Sequence, residues 1–332
     1  MSECASIAER ISRAHAGGRA RLVRARNVAH ALGALGLLGS DDVLFAWAGD
    51  VPGSLPAILA PGRVVLVDDL ECDSFSRATR IARDEMGERP GDVHWFVNSI
   101  GGPGLRVPDL KALSRAAHET GATLIVDDTV ASSYGCRPLE QGADLCLEAL
   151  DRVAAGGLTE PCVALVQARP SRRRISRSSE GLCAGRLFSA SCEEPTQDDL
   201  VTLDRALGSF EERMQLHMDH ARAIAEYLAA HPRVPSVAYP GLRTHPDREL
   251  VSRVLLHGAG PAVDFEVPGG DAAGFIARLG SGFRAPSPGG AATRASARDG
   301  ATGRWIRLFV GTDDPLACIE SLERALASTP RD

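Results

Sequence analysis

The sequence predicts an α/β protein built on a mostly parallel sheet, followed by a small C-terminal α+β domain. Apolar runs of strand length recur at 43–47, 63–68, 93–97, 123–126, 144–147 and 162–167, with helical stretches near 73–86 and 106–120 between several of them. Strands alternating with helices make a parallel sheet covered on both faces, which suits such near-continuous apolar runs. An amphipathic pattern over 196–230 then leads into a different order of elements, and 332 residues suffice for two domains.

Taken in order, residues 2–38 read as helical throughout. Leu22, Val23, Val28, Leu32 and Leu35 alternate with Arg21, Arg24 and Arg26, and Gly36 and Gly39 close the run. The large domain follows over 41–230, leaving 1–40 as an N-terminal helical segment. Its last helix opens on Thr196-Gln197-Asp198-Asp199, a capping box with Asp in place of Glu or Gln. Leu200, Leu203, Leu207, Phe210 and Met214 form its apolar stripe. Over 231–330 the pattern is strand (233–239), helix (246–257), strand (262–267), helix (271–279), strand (304–310) and helix (315–327). Asp314-Pro315 is a good cap and first-turn pair for the last helix. Residues 281–303, rich in Gly, Ala, Ser and Arg, read as a loop.

Charge and cysteine usage narrow the function. A net charge of −6 provides no basic footprint for nucleic acid. The run Arg172-Arg173-Arg174 is either a solvated loop or a docking site for an acidic partner, and it lacks the aromatics of a nucleic-acid surface. No apolar run reaches membrane-spanning length, and the N-terminus lacks a signal-peptide core, so a cytoplasmic location without membrane contact is expected. The eight cysteines sit singly, as reduced thiols would. His217 and His220 lie three apart on a helix without a third ligand in view, so no metal site is expected. Lys111 is the single lysine of the chain.

The most informative stretch is 121–157. It contains Val126-Asp127-Asp128-Thr129-Val130-Ala131-Ser132, then Arg137-Pro138-Leu139 and Gly142-Ala143-Asp144. Acids at the carboxyl end of a buried strand lie where open α/β sheets bind ligands. The segment resembles the Cys/Met-metabolism family of pyridoxal-phosphate (PLP) enzymes, the cystathionine γ-synthases and γ-lyases. Their pattern is V-D-N-T-x-A-[ST]-P, then R-P-L-x-x-G-A-D and S-x-T-K-[YF]. His231-Pro232, Tyr239-Pro240-Gly241-Leu242, His245-Pro246 and Arg307-Leu308-Phe309-Val310-Gly311 extend the resemblance, which covers roughly 43–328. It implies PLP-dependent fold type I, as in aspartate aminotransferase, and tetramers built from dimers with active sites at subunit boundaries. The longer N-terminal arm of the family, with its Y-S-R motif, has no counterpart here and reads as lost or replaced.

Within that frame the cofactor chemistry is missing. The family lysine falls at Asp151, and a carboxylate cannot form an imine. The phosphate-binding hydroxyls fall at Glu148 and Leu150; an acid ~4 Å from a phosphate dianion costs on the order of several kcal/mol. The phosphate turn S-G-M is replaced by Ala48-Gly49-Asp50, the ring-stacking tyrosine falls within Glu71-Cys72-Asp73-Ser74, and the asparagine falls at Gly102. Two groups of the family site persist. Asp127 matches the partner of the pyridine nitrogen, and Arg307 matches the arginine that clamps a substrate carboxylate. Ser287 matches a loop near that arginine.

The resemblance therefore implies a non-catalytic subunit of a hetero-oligomeric γ-synthase/γ-lyase-like enzyme, holding no covalent cofactor itself and completing or stabilising the site of a catalytic PLP-dependent paralogue. Two alternatives stay open. One is a PLP-independent enzyme whose acids Glu71, Asp127, Asp128, Glu148 and Asp151 converge in the old cofactor cavity. The other is a regulatory module that binds a carboxylate at Arg307.

Overall fold

A computed structural model describes residues 3–49, 55–87, 91–169, 187–283, 290–298 and 304–329. The chain begins with α1 (Glu3–Ala14), β1 (Arg19–Arg24) and α2 (Val28–Ala34). The expectation of helix throughout 2–38 is thus corrected. Leu22 is buried in the core on one sheet face and Val23 in the core on the other, so period 2 prevails over period 3.6 here. Gly17 and Gly18 make the break possible. A Cβ on Gly17 would overlap Val166, so the chain passes too close to the neighbouring strand for a side chain.

The large sheet continues with β2 (Val43–Trp47), β3 (Arg63–Val67), β4 (Val93–Asn98), β5 (Thr123–Asp127), β6 (Leu145–Ala149) and β7 (Cys162–Gln167). Its order is β1-β7-β6-β5-β4-β2-β3. The strands β2 to β6 pair in parallel, while β7 and β1 run antiparallel at one edge. Helices cover both faces. On one, α1, α3 (Cys72–Met86) and α4 (Leu110–Glu119) bury Ile7, Ile11, Phe75 and Leu113 with Phe45, Trp95 and Val126. On the other, Leu32 and Leu35 join Leu44, Ile125, Leu147 and Leu165.

The long pattern at 196–230 divides into α5 (Gln197–Gly208) and α6 (Phe210–Ala230). Ser209 leaves helical geometry at φ −116°, ψ 19°, following the weak helix former Gly208. The cap at Thr196 forms as expected: its hydroxyl accepts from the Asp199 N–H at 3.2 Å and donates to the Asp199 carboxylate at 2.7 Å.

The C-terminal unit comprises β8 (Val237–Ala238), α7 (Arg248–Val254), β9 (Ala262–Glu266), α8 (Ala272–Leu279), β10 (Arg294–Arg298), β11 (Trp305–Phe309) and α9 (Pro315–Ser328). Its sheet runs β10-β11-β9-β8, antiparallel throughout, over a core of Phe265, Phe275, Leu308 and Leu322. The second half of α6 enters this core through Ile224 and Leu228. The expected strand at 233–239 shortens to two residues, and the expected loop 281–303 contains β10. With the sequence RASAR, β10 has no large apolar residue to announce it and is held mainly by pairing with β11.

Polar ties join the two units. Arg106 forks onto Asp247 at 2.6 and 2.7 Å, and the Val107 N–H donates to the same carboxylate at 2.9 Å. His245 Nε2 lies 2.9 Å from the Gly104 carbonyl. Burial alone would raise the Asp247 carboxyl, but Arg106 and the Val107 N–H outweigh it and hold it below the usual range. Burial depresses His245, and His217 likewise.

Both kinds of shift act in one direction. A buried neutral histidine stabilises the fold fully above its unfolded pKa of about 6.5, and that contribution is lost as pH falls through the lower native value. The Asp247 contribution is present above about pH 3.9 and is lost on further acidification. Urea midpoints are therefore expected to fall between about pH 7 and 5, less steeply in His245→Gln. Asp247→Ala, which leaves Arg106 without its fork, should cost about 2–3 kcal/mol in the same titration, below the range for a fully buried pair because Arg106 is partly exposed.

Candidate functional site

Four loops meet at the carboxyl ends of β2, β4, β5 and β6, and they carry most of the residues singled out above. Alternation along β6 matters first: Cys146, Glu148 and Leu150 belong to the face covered by α1, while Leu145, Leu147 and Ala149 belong to the other. Glu148 is buried, yet its carboxylate is fully engaged. Oε2 lies 2.8 Å from His15 Nε2, and Oε1 accepts from the Ser132 hydroxyl at 2.5 Å. His15 has no exposed surface and follows directly on α1. Its position is set by the sharp turn after the helix, where Ala16 takes φ 55° and the Gly17 N–H donates to the Ser12 carbonyl. Ser132 takes φ 59°, a left-handed conformation that costs a non-glycine residue on the order of 1 kcal/mol or more.

The two strand-end aspartates differ. Asp127 is half-buried, and its Oδ1 accepts from both the backbone N–H, at 2.9 Å, and the hydroxyl of Thr129. Burial pushes its carboxyl up, against the Thr129 donors and the positive charge of Arg152. Asp128 is fully buried, with Oδ1 accepting from the Ser99 hydroxyl at 2.6 Å. Its Oδ2 has no hydrogen-bond partner and lies 3.8 Å from His15 Nδ1. Burial, opposed by Ser99 and reinforced by the charges of Glu148 and Asp127, holds the Asp128 carboxyl well above the carboxylate range.

Asp151 sits in the turn after β6, 3.5 Å from Arg152 Nε, and Glu71 is exposed at the start of α3. Of the five acids, Asp127, Asp128 and Glu148 lie close enough for their charges to act on one another, with Asp128 and Glu148 on either side of the His15 ring. The sequence had shown the acids but not the histidine. An isolated His before Ala-Gly-Gly carries no motif; only the turn after α1 brings it to β6.

The former cofactor positions do not fit PLP. No amine is available at Asp151, and Lys111 is exposed on α4, lining a cavity of about 450 Å³ with Arg115, Gln141 and Arg253. Glu148, expected from the family frame to replace a phosphate-binding hydroxyl, is a buried acid bound to His15. The indole of Trp47 lies between the loops after β2 and β4: a Cβ on either Gly49 or Gly102 would overlap its ring carbons. Gly102 therefore makes room for Trp47, where the family frame has an asparagine. Asp50, Ser287, Arg172, Arg173 and Arg174 lie outside the described residues.

Arg307 is buried on β11 and already holds a carboxylate. Nε and Nη2 fork onto Asp264 of β9 at 2.6 and 2.7 Å, and Nη2 also donates to the Gly102 carbonyl at 2.6 Å. A pattern of two adjacent antiparallel strands explains the pair, since Arg307 and Asp264 are in direct register.

Comparisons with known proteins extend these observations. A family model described as Cys/Met metabolism PLP-dependent enzyme matches residues 90–327. Cystathionine gamma-lyase of Mus musculus is 31% identical over 246 residues, 68% of this chain and 58% of that protein. L-methionine gamma-lyase of Pseudomonas putida is 28% identical over 253 residues, 70% of this chain and 61% of that protein. The chain thus spans roughly three fifths of the length of these relatives. Among solved structures, the apo form of a methionine gamma lyase from Micromonospora echinospora aligns with a TM-score of 0.82 at 26% identity, covering 98% of this chain and 86% of the other. That likeness extends the agreement in fold across both units.

If Asp264 occupies the place of a ligand carboxylate, removing it should create an anion site. Asp264→Ala leaves a buried guanidinium unpaired and is expected to cost about 3–5 kcal/mol in denaturant titration. Added formate should restore part of that loss with a concentration dependence set by mass action. No recovery at high formate would show that Arg307 is structural only.

Proposed function

The chain belongs to the Cys/Met metabolism family of PLP-dependent lyases and synthases, and from that premise we propose that it is a non-catalytic subunit of a hetero-oligomer whose other subunit is a catalytic PLP-dependent paralogue. The observation that carries this reading is the single lysine of the chain, Lys111, which is exposed on α4 and not at the carboxyl ends of the sheet strands. In this reading the sheet, the second domain and the ties between them persist, as does Asp127, while the lysine that would hold the cofactor covalently is lost. Decay confined to one site is the pattern expected where a partner supplies the chemistry and this chain supplies structure.

The complex would act by β- or γ-elimination or replacement on an amino acid, with this chain completing or stabilising its paralogue's site. Arg172, Arg173 and Arg174 are the candidate contacts to an acidic surface of the partner. An acid/base enzyme without PLP is less well supported, because Asp128 and Glu148 are buried and bonded within the core instead of facing a cleft. Among the described residues no helix is long and apolar enough to cross a membrane.

A native mass spectrum of the protein purified from its own host, without added cofactor, tests the reading. The expected result is a hetero-oligomer whose second subunit carries the mass of a PLP adduct. A bare homodimer would overturn it. Turnover by that homodimer, falling in Asp151→Asn, would establish the PLP-independent alternative instead. A PLP mass on this chain would mean that the site accommodates the cofactor after all.

A further inference from the structure

We propose that His15, Asp128 and Cys146 form a zinc site that ties the end of α1 to β5 and β6, beside the position the family uses for its cofactor. The three donors, His15 Nδ1, Asp128 Oδ2 and Cys146 Sγ, lie within 4.8 Å of one another and all three residues are buried. Nδ1 is 3.5 Å from Sγ and 3.8 Å from Oδ2. Zinc bonds of about 2.0–2.3 Å in tetrahedral geometry place neighbouring ligand atoms about 3.3–3.7 Å apart; Nδ1 and Sγ already meet that spacing, and Oδ2 closes on the pair as the ion binds.

The groups around the trio orient it as a metal site requires. Glu148 accepts from Nε2 of His15, which puts the ring proton on that nitrogen and turns the Nδ1 lone pair toward Asp128 and Cys146. Ser132 in turn donates to Glu148. Ser99 holds Asp128 by Oδ1, leaving Oδ2 aimed at the histidine without a hydrogen-bond partner. An orphaned carboxylate oxygen at zero exposure is expensive unless something positive meets it. A proton on Nδ1 would reach the sulfur but, at 3.8 Å, would leave Oδ2 unsatisfied. A divalent ion satisfies both, and its charge balances one thiolate and one carboxylate. Imidazole, thiolate and carboxylate together favour zinc over calcium or magnesium, which prefer oxygen alone. Three protein ligands leave the fourth position to a water or small anion.

The site goes beyond the subunit reading and stands apart from it: zinc content is measured on this chain whether or not a partner exists. The full-length protein, purified from its host in metal-free buffer, is analysed by elemental mass spectrometry and then exchanged with cobalt(II). Stoichiometric zinc is expected, with a thiolate-to-cobalt charge-transfer band in the exchanged form. Cys146→Ser should abolish the band and Asp128→Asn should lose zinc, both with unchanged far-UV circular dichroism. Glu148→Gln, which keeps every ligand, should keep the band but lower zinc affinity 10–100-fold in competition with a chromophoric chelator. This variant also serves if the ligand substitutions fail to fold. Wild-type protein without zinc and without the cobalt band would overturn the proposal. So would unchanged zinc in Cys146→Ser and Asp128→Asn, or unchanged affinity in Glu148→Gln, since the metal would then lie elsewhere.

Discussion

The contact between His15 and Glu148 is the constraint from which the rest of the site follows. A glutamate that must be buried on β6 needs a donor, and the donor comes from the far end of α1. To deliver it, the chain turns sharply at Ala16, passes over β7 at Gly17 and returns as β1. The same carboxylate draws Ser132 into a left-handed conformation directly after the strand-end aspartates. One buried acid thereby fixes the N-terminal helix, the extra edge strand and the turn after β5.

A similar substitution of internal for external partners recurs at the junction of the two units. Arg307, expected from the family resemblance to clamp a substrate carboxylate, is forked onto Asp264 and reaches the Gly102 carbonyl of the large domain. Trp47 fills the space beside Gly49 and Gly102. Arg106 and Asp247 complete the junction nearby in sequence, and His245 anchors it to Gly104. Groups that in a ligand-binding site would await a partner are here satisfied within the chain. Fully partnered buried charges make a junction specific and rigid, and breaking any one of them leaves the other uncompensated.

The strands β2 and β4 to β7 were legible because they are buried on both faces, so their apolar runs are uninterrupted, and the edge strand β3 keeps an apolar run although Leu66 is exposed. β1 and β10 were not. Each lies at a sheet edge, β1 carries Arg19, Arg21 and Arg24 among its six residues, and β10 has small residues that pack little. The break at Ser209 was likewise hidden by an apolar stripe that continues from α5 into α6. In the site, motif spacing singled out Asp127, Glu148, Asp151 and Arg307, but what each one touches could not be read from it. Asp264 and His15 had no local signal at all, since their roles arise from strand register and from a turn 133 residues away from Glu148 in sequence.

The sequence by itself determined that this chain has the α/β frame of its family and that Lys111 is its single lysine. Both are questions of residue identity and period, and neither requires knowing where side chains meet. Only the tertiary structure decided which acids are spent inside the core, which arginine is already paired, and which histidine, cysteine and aspartate come together. Those depend on contacts between residues far apart in sequence, whose energies come from burial and partnering, and burial is a property of the folded chain alone.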